Sequence, residues 1–382
     1  MKYSLVFPCK DEEETIGICI SKAKKIKDME IIVVDNNSID DSAKIARYAG
    51  ATVVKEQIQG YGAALKRGFL EACGDYVIMC DADDTYDLEE LPKLMKYART
   101  GKYDIVMGQR KYLSGDVMTL THKIGNKLLS GVLRTFYKIK VKDSHSGFRI
   151  IKRDALEKMR LQTDGMDLAS EMLMQAALLN MKVKEVPIHY YARKGESKLR
   201  SIPDGWKHLR LMLLYSPNNL YLIPGLLLML LGMVPLIVLM FGPVKILDIS
   251  FRIHPMFLGS MMIIVGYQIL MLWLYTRIYI HNIFPDKLIL RILSKLKLEQ
   301  GVILGLLLTL LGVSLNLWIL FLWLSTQYGR IDIRWSIIGL TIMILGIQTF
   351  FASFYLSILG ITENLSFSSR KSFSSRKISN RK

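Results

Sequence analysis

Cysteine is scarce, with four residues (Cys9, Cys19, Cys73 and Cys80) in 382 and no C-x-x-C spacing among them. This argues against a dithiol motif and reads as reduced thiols with a packing role. Acidic residues are also few, 34 Asp and Glu against 51 Lys and Arg, for a net charge of +17. Such an excess can signal nucleic acid, but the basic residues concentrate beside apolar runs and in the C-terminal tail. An anionic lipid surface is the simpler partner, at about 1 kcal/mol per Lys or Arg near it, and no nucleic-acid partner is expected. Charge is nearly missing from four long stretches of the second half, which leaves no sign of an ion or sugar pathway through them.

Those stretches are Leu220 to Phe241, Met256 to Tyr275, Val302 to Leu324 and Ile337 to Leu359. Each is long enough to cross a hydrocarbon core of ~30 Å as a helix. Pro224 and Pro235 in the first are tolerable in a membrane helix, and Gln268, Asn316 and Gln348 are expected to bond between helices. The loops holding Lys245 with Arg252 and Arg330 with Arg334 are poor in basic residues. Richer are the segment with Arg277, Lys287, Arg291, Lys295 and Lys297 and the tail with Arg370, Lys371, Arg376, Lys377, Arg381 and Lys382. Retention of Lys and Arg on the cytoplasmic side predicts a multi-pass plasma-membrane protein with its N-terminal domain and tail in the cytoplasm, and no cleavable signal peptide is expected. The tail repeats Ser-Phe-Ser-Ser-Arg-Lys at 366–371 and 372–377, a composition that reads as disordered.

The first half alternates short β-rich runs with helical ones, the signature of α/β folding with parallel βα units. Strands are predicted at Tyr3 to Phe7, Glu30 to Val34, Thr52 to Lys55 and Asp75 to Met79. Helices are predicted at Glu12 to Lys27, Asp41 to Tyr48, Gly62 to Ala72 and Asp167 to Leu179. The expected division is a domain over 1–200, an interfacial amphipathic helix over 201–218 carrying Trp206, four spans over 219–360 and the tail over 361–382.

In open sheets of this kind, ligands bind beyond the carboxyl ends of the strands. The polar residues there are Pro8-Cys9-Lys10-Asp11-Glu12, Asp35-Asn36-Asn37-Ser38, Gln59-Gly60-Tyr61-Gly62 and Asp81-Ala82-Asp83. The last is the most telling, because a strand ending in Asp-x-Asp puts two hard oxygen donors on one side of the chain, suited to Mg²⁺ or Mn²⁺ and through it to a diphosphate. A solvated acidic turn is the competing reading, and Asp87 before Leu88 looks like a helix cap. Asp11 and Asp35 read equally as helix caps, and Gly60 and Gly62 either as turn residues or as points of close backbone approach.

In order and spacing these pieces resemble the family 2 glycosyltransferases with a GT-A fold, in the branch of dolichol-phosphate mannose and glucose synthases. Gly108-Gln109-Arg110, Asp143 with Ser146-Gly147-Phe148-Arg149, and Glu185-Val186-Pro187-Ile188 followed by Arg193-x-Gly195-x-Ser197-Lys198-Leu199 extend the match over residues 3–215. The resemblance implies a Rossmann-like nucleotide-sugar-binding domain in which Pro8, Lys10, Glu12, Asp35, Asn37 and Gly60 serve the nucleotide sugar. It assigns Asp81 and Asp83 to the diphosphate and its metal, Arg110 to an acceptor phosphate, and Arg193, Ser197 and Lys198 to a loop over the phosphates. Two departures stand out: Asp11 replaces a commoner Asn, and Thr85 replaces a Gln near the metal. A further acceptor-side Arg is expected within 118–126, where this chain has Met118, His122 and Lys123.

The implied activity is inverting transfer of a hexose from a donor of the UDP-glucose or GDP-mannose type to a polyprenyl or dolichyl phosphate, serving protein glycosylation or envelope glycan synthesis. A lipid phosphate already carries a nucleophilic oxygen, so cationic positioning by Arg110 and Arg149 replaces a general base. Arg149 reads equally as the structural partner of Asp143. Asp167 and Glu171 share a helix face, and Glu171 either orients the sugar or Arg149 or is structural. Transfer to a lipid or glycan hydroxyl is the alternative enzyme, though no Gln-x-x-Arg-Trp motif of processive synthesis follows the acidic run. A sugar-lipid carrier or flippase with a nucleotide-binding domain is the non-enzymatic alternative.

Overall fold

The computed structural model describes residues 2–112, 120–193, 201–246, 249–281, 289, 291–292, 297–326 and 332–379. The chain divides into two compact units, Met1–Tyr215 and Ser216–Lys382.

The first unit is built on a seven-stranded sheet. Its strands are β1 (Tyr3–Cys9), β2 (Met29–Asp35), β3 (Thr52–Lys55), β4 (Tyr76–Met79), β5 (Ile105–Tyr112), β6 (Arg149–Lys152) and β7 (Val183–Tyr190), in the order β3-β2-β1-β4-β6-β5-β7. Strands β1 to β4 pair in parallel, whereas β6 lies antiparallel between β4 and β5. The sheet is therefore mixed.

Side-chain alternation along each strand fills two apolar layers. Leu5, Phe7 and Ile78 face a core shared with Ile16 and Ile20 of α1 (Ile16–Lys24). Val6, Val77 and Met79 face the opposite core, shared with Leu65 of α3 (Tyr61–Glu71). Gly68 lets α3 sit against β1, since a Cβ there would lie 2.2 Å from Val6 Cγ1. Helix α2 (Ser42–Tyr48) precedes β3, and α4 (Leu91–Arg99) precedes β5. The remaining helices of the unit are α5 (Leu120–Tyr137), α6 (Arg153–Lys158), α7 (Leu168–Leu178) and α8 (Ser201–Leu214).

Helix α1 is shorter than its apolar periodicity predicts. Glu12 to Glu14 form a turn after Asp11, whose backbone is left-handed at φ 49°, and the helix begins only after Thr15. Asp87 does act as a cap, accepting the Glu89 N–H at 2.9 Å ahead of a short 3-10 turn, Leu88–Glu90.

The second unit contains four helices long and apolar enough to cross a membrane: Asn218–Met240, His254–His281, Leu298–Ser325 and Ile333–Leu359, with mean hydropathy from 1.9 to 2.6. Glycines seven residues apart let each sequential pair approach closely. A Cβ on Gly232 would lie 2.5 Å from the Gly259 carbonyl, and one on Gly312 2.6 Å from that of Gly339, with Gly225 opposite Gly266 and Gly305 opposite Gly346. Interhelical hydrogen bonds include Ser336 Oγ to Asn316 Oδ1 at 2.8 Å and Gln348 Nε2 to Gln268 Oε1 at 3.4 Å. The last helix, Ile333–Ser379, continues through the serine-rich basic repeat that composition reads as disordered. No Gly or Pro follows Gly360 to stop it.

Candidate active site

Strands β1 and β4 are neighbours, so their carboxyl ends bring the 8–12 segment beside the 81–84 loop. The Thr15 hydroxyl donates to the Ala82 carbonyl at 2.8 Å and ties the start of α1 to the acidic run. Within that run Asp83 is 6% exposed, and its Oδ1 accepts from the Thr85 N–H at 3.2 Å and the Thr85 hydroxyl at 2.6 Å. Its Oδ2 faces Arg193 Nη1 at 3.1 Å, while Arg193 Nη2 pairs with Glu12. Asp81 accepts from the Tyr61 hydroxyl at 2.8 Å. Gly147 lies against the same carboxylate, where a Cβ would be 2.7 Å from either oxygen. Asp84, in a left-handed conformation, turns away to pair with Lys22 at 2.6 Å.

Burial and the charge of Asp83 push the Asp81 carboxyl up to about 7, against the pull of the Tyr61 hydroxyl, Arg110 and Arg193. Half-buried Asp81 and buried Asp83 supply hard oxygen donors of the kind that Mg²⁺ and Mn²⁺ take, and the repulsion that raises Asp81 is what a bound cation would relieve. Among the described residues no group of three or more His, Cys, Asp or Glu side chains is placed to hold a metal ion. Nearby thiols take no part. Burial pushes Cys9 and Cys19 up to about 12, which keeps them neutral packing groups.

Across the sheet, β5 presents Arg110. Its guanidinium makes a two-pronged pair with Asp143, Nε to Oδ2 at 2.7 Å and Nη2 to Oδ1 at 2.8 Å, and lies 5.2 Å from the centre of the Tyr190 ring. Asp143 is itself fixed by its N–H, donated to Glu185 Oε1 at 2.7 Å. The loop from Asp143 ends at Gly147, whose N–H donates to the Tyr86 hydroxyl at 2.7 Å. One short segment thus touches Arg110 at one end and the Asp81 carboxylate at the other.

Asp143 pairs with Arg110, and Arg149 lies fully buried behind the loop. The Arg149 guanidinium donates to the carbonyls of Ser146 at 2.9 Å, Ala169 at 2.7 Å and Ser144 at 2.8 Å. In place of a phosphate it holds backbone, because three carbonyls converge where the loop meets α7. Glu171 is likewise fully buried, accepting from the N–H groups of Gln162 and Thr163, the Thr163 hydroxyl at 2.7 Å and the Gln175 amide at 2.9 Å. Its lone pairs are spent on the 162–163 turn, so the geometry gives it a scaffold role.

At the nucleotide end, Pro8 and Lys10 are half-buried along the close of β1, and Asp35 lies 4% exposed at the end of β2, accepting the Ser38 N–H at 3.0 Å. Asn36 reaches across to the carbonyls of Glu56 and Ile58, and Asn37, at φ 60°, to that of Gln57. The close backbone approach expected at Gly60 is made by the protein itself: φ is 146° and a Cβ would lie 2.1 Å from the Asp164 carbonyl, to which Gly62 N–H donates at 2.8 Å. Asp11 accepts the Ile39 N–H at 2.8 Å and so braces the neighbouring loop rather than capping a helix. Ser197, Lys198 and Met118 lie outside the described residues, as do the side chains of His122 and Lys123.

Sequence reasoning missed the tyrosines. Tyr61, Tyr86 and Tyr190 surround the carboxylates and Arg110, and the only signal was Tyr61 between two glycines. Gly147 belongs to the Ser146-Gly147-Phe148-Arg149 motif, but the room it leaves for Asp81 emerges only with β6 beside β4.

A mixed sheet in this order, with an Asp-x-Asp at the end of β4 and four apolar helices downstream, is a GT-A-like domain followed by helices long and apolar enough to cross a membrane. The comparisons with known proteins agree. Residues 4–160 match the family model for glycosyl transferase family 2, and residues 274–360 match that for the glycosyltransferase family 2 C-terminal transmembrane region. The chain is 35% identical to a low-salt glycan biosynthesis hexosyltransferase of Haloferax volcanii, over 94% of this chain and 89% of the relative. It is 32% identical to a dolichyl-phosphate hexose transferase of the same organism, over 51% of this chain and 85% of that one. A solved glucosyl-3-phosphoglycerate synthase of Mycobacterium tuberculosis superposes with a TM-score of 0.47 at 21% identity, covering 56% of this chain and 80% of that one. The chain belongs to glycosyltransferase family 2, and it is a glycosyltransferase.

Proposed function

We propose that the protein transfers a hexose, with inversion, from a nucleotide sugar of the UDP-glucose or GDP-mannose type to a polyprenyl phosphate such as dolichyl phosphate, at the cytoplasmic face of the plasma membrane. The observation that carries this reading is that one loop, 143–147, touches two unlike charge sites: half-buried Asp81 beside buried Asp83 and Arg193 on one side, and Arg110 on the other. Names of relatives point the same way, one being a hexosyltransferase of glycan biosynthesis and another a dolichyl-phosphate hexose transferase. Protein glycosylation or envelope glycan synthesis is the corresponding purpose.

In the mechanism, Asp81 and Asp83 would hold Mg²⁺ or Mn²⁺, which would supply positive charge to the departing diphosphate. Arg193 moves from Asp83 and Glu12 to the diphosphate oxygens, with Ser197 and Lys198 from the adjoining segment. Glu12 is then released to meet the ribose or base, together with Pro8, Lys10, Asp35 and Asn37. Arg110 aligns the acceptor phosphate, whose oxygen attacks the anomeric carbon as the bond from that carbon to the β-phosphate oxygen breaks. The electron pair of that bond stays with the nucleoside diphosphate. A phosphate monoester is ionised at neutral pH, so no proton has to be removed. The engagement of Glu171 with its own turn fits a reaction without a carboxylate base.

Helix α8 suits a lipid acceptor. Leu209, Leu211 and Met212 pack on the domain, while Trp206 is 59% exposed and Lys207 and Arg210 lie at the surface, an arrangement suited to headgroup depth. Asn218, where the first apolar helix starts, follows its last residue closely. Purified protein incubated with labelled donors and dolichyl phosphate should yield a lipid that releases its sugar in mild acid. An acid-stable glycolipid would instead assign a hydroxyl acceptor, and the absence of any lipid product would favour the carrier reading.

A further inference from the structure

The loop of residues 143–147 is held by a histidine pair, half-buried His145 and buried His208, that belongs to none of the donor-side groups. His145 and His208 stack edge to face with ring centres 4.4 Å apart, and His208 is 3% exposed. His208 comes from α8, the helix that carries Trp206. On one side its Nδ1 is hydrogen-bonded to the Ser170 hydroxyl of α7 at 2.7 Å. On the other, the His145 ring is fixed by the Ser144 hydroxyl, which meets Nδ1 at 2.9 Å and the Ser130 hydroxyl of α5 at 3.0 Å. Four segments therefore converge on two imidazoles: α5, α7, α8 and the loop itself.

That loop has little freedom left once the histidines are in place. Asp143 at its start sets the Arg110 fork, and Gly147 at its end packs against the Asp81 carboxylate. Between them the Ser144 and Ser146 carbonyls are held by Arg149, which also reaches the Ala169 carbonyl beside Ser170. A shift of α8 along its axis would move His208, and the stacked His145 would have to follow. The acceptor arginine and the donor-side carboxylate would then lose their common register. Of the groups on α8 that enter the domain, Leu209, Leu211 and Met212 are apolar and fill space. The Tyr137 hydroxyl of α5 donates to the Met212 carbonyl at 2.6 Å, and His208 adds a directional side-chain contact that reaches the loop through His145.

We propose that His208 is a positioning residue for the transfer reaction, linking the lipid-facing helix to the loop that orients Arg110 against Asp81. The inference rests on the polyprenyl-phosphate reading above. Trp206 and His208 share one helix, so seating α8 at the headgroups and setting the Arg110 fork become one event. A misplacement of this kind weakens alignment of the acceptor, not affinity for the nucleotide.

The test is steady-state transfer by the full-length protein in bilayers of stated composition, varying donor and polyprenyl phosphate separately, for wild type, His208→Ala, His208→Asn and Ser170→Ala. The expected result is an acceptor KM raised about tenfold in His208→Ala with the donor KM within about twofold. His208→Asn, which keeps a polar group near Ser170, should restore most of the loss, and Ser170→Ala should show the same split in smaller measure. Nucleotide binding, read by protection against thermal unfolding, should match wild type in all three. Donor and acceptor KM rising together with a lowered melting temperature, or no change in either, would overturn the proposal. If His208→Ala cannot be folded, the Ser170→Ala split alone decides. Failure of the wild type to glycosylate polyprenyl phosphate would instead remove the functional reading, an outcome visible before any variant is compared.

Discussion

Arg193 spans Asp83 and Glu12, joining a carboxylate assigned to the donor diphosphate with one assigned to the nucleoside. A single guanidinium thus stands where the bound donor would bring a metal and two phosphates. Its side chain is 25% exposed, enough to swing away without unfolding its surroundings. Replacement by Ala removes charge-assisted hydrogen bonds worth roughly 1.5–3 kcal/mol, so the donor KM is expected to rise about 10- to 100-fold. The acceptor KM should stay near wild type, and measuring both constants for Arg193→Ala separates the two sites.

Thr85 offers a finer probe of the metal site. Its hydroxyl and N–H both donate to Asp83 Oδ1, which orients the carboxylate. Thr85→Val preserves shape and removes only the hydroxyl donor. Loss of an outer-shell partner of this type typically lowers metal affinity by about 10- to 100-fold. Mn²⁺ titration followed by electron paramagnetic resonance should show weaker binding in Thr85→Val, and unchanged affinity would remove Thr85 from the site.

The strand order and the acidic run illustrate how far the chain can be read directly. Short β-rich runs place β1 to β4 within a residue or two, because a strand buried on both faces reads as a near-continuous apolar run with a turn signal at each end. The antiparallel β6 was not legible, since Arg149 to Lys152 is only four residues long and opens with an arginine. That arginine looks like a ligand group in sequence. Only the convergence of three carbonyls around it, brought together by β6 and α7, gives it a structural role. Glu171 follows the same logic: helical spacing shows which face it shares, but not that the 162–163 turn fills that face. Gly60 and Gly62 read in sequence either as turn residues or as points of close backbone approach, and in the structure the backbone they approach is that of Asp164.

Both scaffold assignments can be tested against the catalytic ones. Arg149→Leu removes the guanidinium donors from the Ser144, Ser146 and Ala169 carbonyls and should destabilise the domain by about 3 kcal/mol or more, read as a lowered melting temperature or poor recovery. Glu171→Gln replaces an acceptor-only group and should cost roughly 1–3 kcal/mol. Transfer by the folded fraction of Glu171→Gln should keep its pH profile. A profile that loses its acidic limb would return Glu171 to the reaction as a base.

The carboxyl of Asp81, raised to about 7, gives the metal site a pH dependence of definite sign. In the metal-free protein the folded state holds a proton there that the unfolded chain would already have released, so this group's contribution to stability falls as pH rises toward 7. A divalent cation must displace that proton below pH 7 and meets an ionised site above it. Apparent Mn²⁺ affinity should therefore drop about tenfold per unit below pH 7, and the stabilisation by Mn²⁺ should be larger at pH 8 than at pH 6. Thermal unfolding with and without Mn²⁺ at the two pH values reads this directly.

Asp83 contacts Thr85 and Arg193 and is proposed to hold the metal together with Asp81. The decisive measurement compares wild type with Asp83→Ala for transfer of labelled sugar from UDP-glucose and GDP-mannose to dolichyl phosphate, with Mg²⁺ or Mn²⁺ and then with chelator. Wild type should form an acid-labile lipid product with one donor only while metal is present, and Asp83→Ala should insert normally and form none. Wild-type turnover by Asp83→Ala, or transfer by wild type that survives the chelator, would contradict the assignment of this site.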